Sequence, residues 1–263
     1  MLASKQKRIL PNQLTREAEY FDSVVVTESK THALLARFAK GFYEKGERGR
    51  LWAPIWETND FRRARILDYG CGYGLFSCEL ASRGAYVCGV DISPKSIEEA
   101  RTLAAKIRMN GSLNFLVCDA HRTPFKAESF DYVVGNGALH HLDLDRAYLE
   151  IARVLKPGGR AFFMEPMYHH PLLRLLRRLT PKDHTADEKP LSLADIDKAR
   201  QWFRSCSHRE HFLLSPCAAP VHLLGKNAAL AVIAGLDRID QFMMSMVPQL
   251  RRFAWLTMLE LEK

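Results

Sequence analysis

Two adjacent histidines, His140 and His141, together with Glu165, are the residues of this chain best suited to moving a proton. An imidazole has an ordinary pKa of about 6.5, so either ring can take a proton from a hydroxyl near neutral pH. A carboxylate that accepts one ring N–H fixes the tautomer and steadies the charged ring after transfer. A second set is glycine-rich: Asp68-Tyr69-Gly70-Cys71-Gly72-Tyr73-Gly74 ends an apolar run and opens a helical one. Without a Cβ, such residues let backbone approach a ligand closely, and a nucleotide-type cofactor is expected there. A dinucleotide fingerprint needs a further glycine where Leu75 stands, so the spacing speaks against a nicotinamide cofactor. Asp91 ends a later apolar run and can accept from both hydroxyls of a ribose. Asp119 can likewise accept from an adenine amino group while the Ala120 N–H donates to the ring. The competing role for Asp91 is N-cap of a helix starting at Pro94, which Ser93 can fill equally well.

The elements that must position these groups follow from the hydrophobic pattern. Short runs at Arg65–Tyr69, Ala85–Val90, Leu113–Cys118, Phe130–Val134 and Gly159–Met164 read as strands, and Gly74–Ser82, Pro94–Met109 and Leu144–Leu155 as the helices between them. Lys156-Pro157-Gly158-Gly159 is a helix stop and turn. Alternation of this kind builds a parallel sheet covered on both faces. Ligands bind beyond the carboxyl ends of its strands, so Gly70, Asp91, Asp119, Asn136 and Glu165 are expected to converge on one side. Upstream, residues 14 to 45 carry a helical period, and Trp52, Pro54 and Trp56 mark a connector. Downstream, Pro171–Leu179 reads as a basic amphipathic helix and Leu193–Phe203 as another, capped by Ser192. His208–Leu214 and Ala254–Leu261 read as two more strands, joined by a long helical insertion from Pro220 to Leu250.

The glycine loop resembles the first motif of the class I S-adenosylmethionine-dependent methyltransferases, an acid opening three glycines at alternate positions. Asp91-Ile92-Ser93, Asp119-Ala120, the run from Ser129 to Leu142 and Leu155-Lys156-Pro157-Gly158-Gly159-Arg160 look like the family too, so the likeness covers about residues 60 to 166. It implies a Rossmann-like, doubly wound α/β sheet of seven mostly parallel strands, with an N-terminal helical lid over 1–60, a cofactor core over 61–166, and cap helices with the last two strands over 167–263. The cofactor implied is S-adenosyl-L-methionine, released as S-adenosyl-L-homocysteine. Its expected contacts are Tyr20, Asp68, Gly70, Cys71, Gly72, Gly74, Asp91, Ile92, Asp119, Ala120, Asn136 and Gly137, the last pair lying under the methionine part. Some small-molecule O-methyltransferases of this class pair a histidine after strand four with an acid after strand five; His140 or His141 with Glu165 looks like that pair. Glu19-Tyr20-Phe21-Asp22 looks like a segment that folds over the cofactor. Phe21, Met164, Arg174 and Met243 are expected to touch a small, partly apolar acceptor, with Phe242, Met243, Met244 and Met246 forming an adaptable wall.

Composition sets the outer bounds. With 263 residues, 47% hydrophobic and 26% charged, the chain can bury the core of one α/β domain with added helices, and long disorder is excluded. A net charge of +8 attracts acidic small molecules, anionic lipid or RNA without choosing among them. An RNA methyltransferase is the runner-up, yet Gly135-Asn136-Gly137-Ala138 is not the Asn-Pro-Pro-aromatic set used on flipped bases, and no RNA-binding module is evident. A non-catalytic cofactor-binding protein would keep Asp91 and Asp119 without turnover. Six cysteines lack CxxC or zinc spacing, and His169, His170, His184 and His208 have no ligand spacing, so no metal is expected and a reducing cytoplasm is. The start has no apolar run after Lys5, Lys7 and Arg8, and Val221 to Leu236 is broken at Gly225-Lys226-Asn227; neither a secretory signal nor a membrane span is expected.

Overall fold

A computed structural model describes residues 15–16, 18–19, 48–179, 188–216 and 226–263. Within them the chain runs α1 (Arg48–Thr58), β1 (Arg65–Tyr69), α2 (Leu75–Ser82), β2 (Tyr86–Asp91), α3 (Pro94–Ala104), β3 (Ser112–Val117), β4 (Phe130–Asn136), α4 (Leu144–Val154), β5 (Leu155–Pro166), α5 (Pro171–Leu179), α6 (Leu193–Asp197), β6 (Ser205–His211), α7 (Lys226–Met246) and β7 (Leu256–Glu262). One seven-stranded sheet results, in the order β3-β2-β1-β4-β5-β7-β6. All neighbours are parallel except β7, which lies antiparallel between β5 and β6. Strand order reverses between β1 and β4, which opens a crevice at their carboxyl ends. Among the described residues no helix is long and apolar enough to cross a membrane.

Alternate residues of the central strands feed two cores. Leu67, Tyr69, Val133 and Phe163 face α4, whose Ala147, Tyr148 and Ile151 are fully buried one helical turn apart. Ile66, Val134, Phe162 and Met164 face the other side, against Trp52, Phe76 and Trp255. Helix starts follow side-chain chemistry: Ser93, not Asp91, caps α3 by accepting from Ser96 N, Asp143 caps α4, and Ser192 with Asp195 forms a reciprocal capping box on α6.

Several expectations need correction. Trp52, Pro54 and Trp56 lie in helix α1, not a connector, although Pro54 withholds one backbone donor. Aromatic burial outweighs that cost: Trp52 is 1% exposed with its ring 4.5 Å from Phe76, and Trp56 meets Phe61 edge-on at 5.0 Å. Helix α3 stops at Ala104, five residues early, because Ala105 and Lys106 are exposed and the helix has no further face to bury. The expected helix over Leu193–Phe203 is α6 followed by a 3₁₀ turn at Lys198–Gln201. Strand β6 ends at His211 because buried Phe212 takes a positive φ of 65°, which breaks the extended ladder. The insertion after β6 is one long helix and a 3₁₀ turn, Pro248–Phe253. The expected helix at 14–45 lies outside the described residues apart from four positions, as do Cys217, His184 and residues 217–225.

One buried network ties α4 to the loop after β3. Glu150 accepts from Thr123 N (2.8 Å) and Oγ1 (2.6 Å) and from two Arg153 nitrogens (2.8 and 2.7 Å). Burial pushes its carboxyl up, but the Arg153 and Thr123 bonds outweigh burial and hold it below the ordinary 4.5. Because the folded pKa is depressed, this contribution to stability is present above pH 4.5 and disappears as pH falls through the folded value. Glu150→Gln is therefore expected to lower stability by about 1–3 kcal/mol at pH 7 and to flatten its acid dependence. Urea unfolding at pH 7 and pH 4 checks this: parallel losses in both proteins on acidification would contradict it.

Candidate active site

The glycine turn is built by close approach. Gly70 N and Cys71 N both donate to Val90 O at 2.9 Å, pulling the end of β1 onto β2. A Cβ on Gly70 would sit 2.7 Å from the Ala138 methyl, and one on Gly74, which starts α2 at φ 73°, 2.6 Å from Phe115. Gly72 differs: a Cβ there would meet nothing within 4 Å, so this stretch of backbone borders open space where a ligand can approach. Cys71 lies beneath the turn, and burial, with Asp68 and Asp91 nearby, pushes its thiol well up, so it stays neutral.

Asp91 ends β2 with each carboxylate oxygen oriented by backbone. Oδ2 accepts from Gly72 N and Oδ1 from Ser93 N, both at 2.9 Å. Each oxygen can accept more than one bond, so the two present an acceptor pair at the crevice, beside Ile92. Asp68 is placed otherwise: it is 2% exposed and accepts from Ser77 Oγ, which fastens α2 to β1. Asp119 follows β3, and its Oδ1 accepts from His121 N (2.8 Å) and Nδ1 (2.6 Å). His121 Nε2 in turn accepts from Asp143 N at 3.0 Å, so the ring is the neutral tautomer with its proton on Nδ1. Burial raises the Asp119 carboxyl, but the His121 bonds outweigh it and hold it below its ordinary range. The Ala120 carbonyl accepts from the Tyr69 hydroxyl.

On β4, Trp52 Nε1 donates to Asn136 Oδ1 at 2.8 Å. Since indole can only donate, this fixes the amide with Nδ2 as the outward donor, and Nδ2 is buried with no partner among the described residues. Gly137 follows at φ 68° and donates to Met164 O at 2.8 Å. Then comes a 3₁₀ turn, Leu139–His141. Its amides converge on Glu165, which is wholly buried: Oε1 accepts from Ala138 N and Leu139 N at 2.9 Å, and Oε2 lies 2.8 Å from His140 Nδ1. An ionised carboxylate cannot donate, so the ring proton sits on Nδ1 and Nε2 carries the lone pair. That nitrogen faces Glu188 Oε1 at 3.6 Å, and Glu188 is ion-paired to Arg177. The His141 ring lies against His140 with centroids 4.1 Å apart.

The structure thus brings Gly70, Gly72, Asp91, Asp119, Asn136, His140 and Glu165 to one end of the sheet. Met164 is 1% exposed and sits in the core. The methionine wall does not reach the crevice. Gln241, one turn from Met244, donates to Glu210 O on β6, three strands from β4 and on the order of 14 Å away. Arg174 lies on α5, beyond β5. Tyr20 and Phe21 lie outside the described residues. Sequence reasoning missed three positioning groups: Trp52, His121 and Glu188. His121, two residues past Asp119, was the one with a readable signal; Glu188 stands in an irregular stretch with no period.

An open glycine turn, a paired acceptor at Asp91, a second at Asp119 and the unpartnered Asn136 amide suit a ligand carrying a diol, a purine and a polar tail. The comparisons agree. Residues 67–163 match the methyltransferase domain family. An O-methyltransferase, cnsE, of Penicillium expansum is 37% identical over 109 residues, 40% of this chain and 39% of that protein; the chain spans about two-fifths of the curated relative it matches. A phosphoethanolamine N-methyltransferase 2 of Haemonchus contortus, solved with S-adenosyl-L-methionine, superposes with TM-score 0.62 at 19% identity, covering 93% of this chain and 60% of that one. A Thermotoga maritima S-adenosylmethionine-dependent methyltransferase superposes at 0.61 and 20% identity, covering 94% and 99%. Through residues 67–163, the chain belongs to the class I S-adenosylmethionine-dependent methyltransferases.

Proposed function

We propose that the chain transfers a methyl group from S-adenosylmethionine to a hydroxyl of a small molecule. The observation that carries the choice of oxygen is the His140–Glu165 pair at the mouth of the crevice. An amine or thiolate acceptor needs little beyond orientation, whereas a hydroxyl must lose its proton near the moment of attack. The likeness to O-methyltransferase cnsE supports the same choice.

Asp91 would hold the ribose hydroxyls, Asp119 and the Ala120 amide the adenine, and Asn136 Nδ2 with the Gly137 region the methionine carboxylate. The cofactor supplies an electrophilic methyl on a sulfonium. The chain does the rest. His140 Nε2, whose lone pair meets no donor among the described residues, takes the acceptor's proton. Glu165, anchored by two backbone amides, steadies the imidazolium, and the Glu188 carboxylate on the far side adds to that field. Holding the reactants in line can supply roughly 7–11 kcal/mol of barrier lowering, and the proton transfer a further 10²- to 10⁴-fold or so.

Glu165→Gln separates this mechanism from mere packing. The amide can keep the Ala138 and Leu139 donors on its oxygen, but its NH₂ then faces Nδ1 and drives the ring proton to Nε2, which ceases to be a base. Expected are turnover about 10²–10⁴-fold lower, as for His140→Gln, with S-adenosylhomocysteine affinity within about threefold of wild type. Nitrogen shifts of the His140 ring should report the exchanged tautomer. Wild-type turnover in both variants would sink the base assignment.

Asp91→Asn should act on the other half. Loss of charge-assisted bonds to the diol is expected to weaken S-adenosylhomocysteine binding about 10- to 100-fold by calorimetry. Unchanged affinity would show that the diol is held elsewhere.

A further inference from the structure

Helix α5 leaves the active end of β5 and presents Arg174, Arg177 and Arg178, positions that share one helical face. Arg177 is paired to Glu188, while Arg174 and Arg178 have no acidic partner among the described residues. Like charges at this spacing destabilise a helix by a few tenths of a kcal/mol, so the cluster does not persist for the sake of α5. With Met167, Tyr168 and Leu173 the arginines line a cavity of about 230 Å³.

The cavity sits beside the proposed base. Leu191 N donates to Pro166 O and Tyr168 N to Leu191 O, both at 2.9 Å, while Lys189 N donates to His140 O at 2.8 Å. The strand-like stretch 188–191 therefore laces the rim of the cavity to the histidine. Glu188 touches both sides, since its carboxylate pairs with Arg177 and stands 3.6 Å from His140 Nε2.

We propose that this cavity receives an anionic group, phosphate or carboxylate, of the methyl acceptor, with Arg174 and Arg178 as its ligands and Arg177 held at its wall by Glu188. The inference rests on the methyl-transfer reading for the word acceptor. It gives that acceptor two ends: a hydroxyl at His140 and an anion one carboxylate's width beyond it. Planar guanidinium forks match both oxyanions and grip them in pairs. Leu175 and Leu179 are 51% and 64% exposed on the same helix, a face an anionic bilayer could also take. The concave setting of the arginines, walled by Met167 and Tyr168 on the β5 side, favours a small anion instead.

The test uses the full chain saturated with S-adenosylhomocysteine and titrated with inorganic phosphate at constant ionic strength, by calorimetry. Expected is saturable one-site binding that weakens about tenfold or more in R174Q/R178Q and stays within about twofold in R200Q/R204Q, which removes two exposed arginines elsewhere. The Tm of R174Q/R178Q should not fall, because the substitution removes repulsion. Absence of saturable binding, or equal weakening by both pairs, would overturn the subsite. So would loss of binding to phosphatidylglycerol vesicles in R174Q/R178Q when phosphate binds neither protein. Failure of S-adenosylhomocysteine to bind wild type would instead overturn the methyl-transfer reading.

Discussion

A carboxylate with no access to water organises this molecule. Glu165 is wholly buried at the end of β5, where an uncompensated charge would cost several kcal/mol. It is satisfied only if the chain leaving β4 turns at once and offers its amides at 138 and 139 and the His140 ring. That demand explains the 3₁₀ turn Leu139–His141 and the positive φ of Gly137 before it. It also holds Ala138 where its methyl closes on Gly70, so the glycine turn and the histidine are set by the same contact. Cofactor crevice and proposed base are thus two consequences of one buried charge.

Two histidine–carboxylate pairs stand at this end of the sheet, and their wiring assigns them different work. His121 gives its Nδ1 proton to Asp119 and uses the Nε2 lone pair on Asp143 N, which leaves nothing for chemistry. It is a strut between the loop after β3 and the start of α4, reinforced by the Glu150–Thr123 bonds a few residues on. His140 makes the same Nδ1 bond, to Glu165, but no backbone donor meets its Nε2. Of the two rings, only the second keeps a basic nitrogen available. The argument comes from hydrogen-bond accounting, independent of the sequence likeness.

Much of this arrangement was legible in the sequence because it is local. The apolar runs of β1 to β5, the Ser93 and Ser192 caps and the alternate glycines each declare themselves within about ten residues. Asp91, Asp119 and Glu165 were readable because a polar residue ending an apolar strand has few reasons to be there. What failed was decided by distant partners. Pro54 promised a break, and Phe76 and Phe61 overrode it by burying the tryptophans on either side. The methionines of α7 have the spacing of a pocket wall, but the Gln241 bond to Glu210 seats that turn on the outer strand. Asp68 opens the glycine motif, yet its partner is Ser77, nine residues on and one helical turn into α2.

The match to the methyltransferase family stops at residue 163, while the structural likeness to methyltransferases extends over nine-tenths of the chain. That difference follows from what each half must recognise. Residues on β1 to β4 meet a ligand that is the same in every member, so diol, purine and sulfonium hold them to fixed residue types and spacings. Beyond β5 the fold must still add β7 and β6 to cover the sheet edge, a requirement met by any sequence with the right alternation. The arginines of α5, Glu188 and the stretch 188–191 lie on this freer side, within one hydrogen bond of His140. A side chain placed there can change which acceptor meets the base without disturbing Glu165, and so specificity can vary where the structure's one indispensable charge does not.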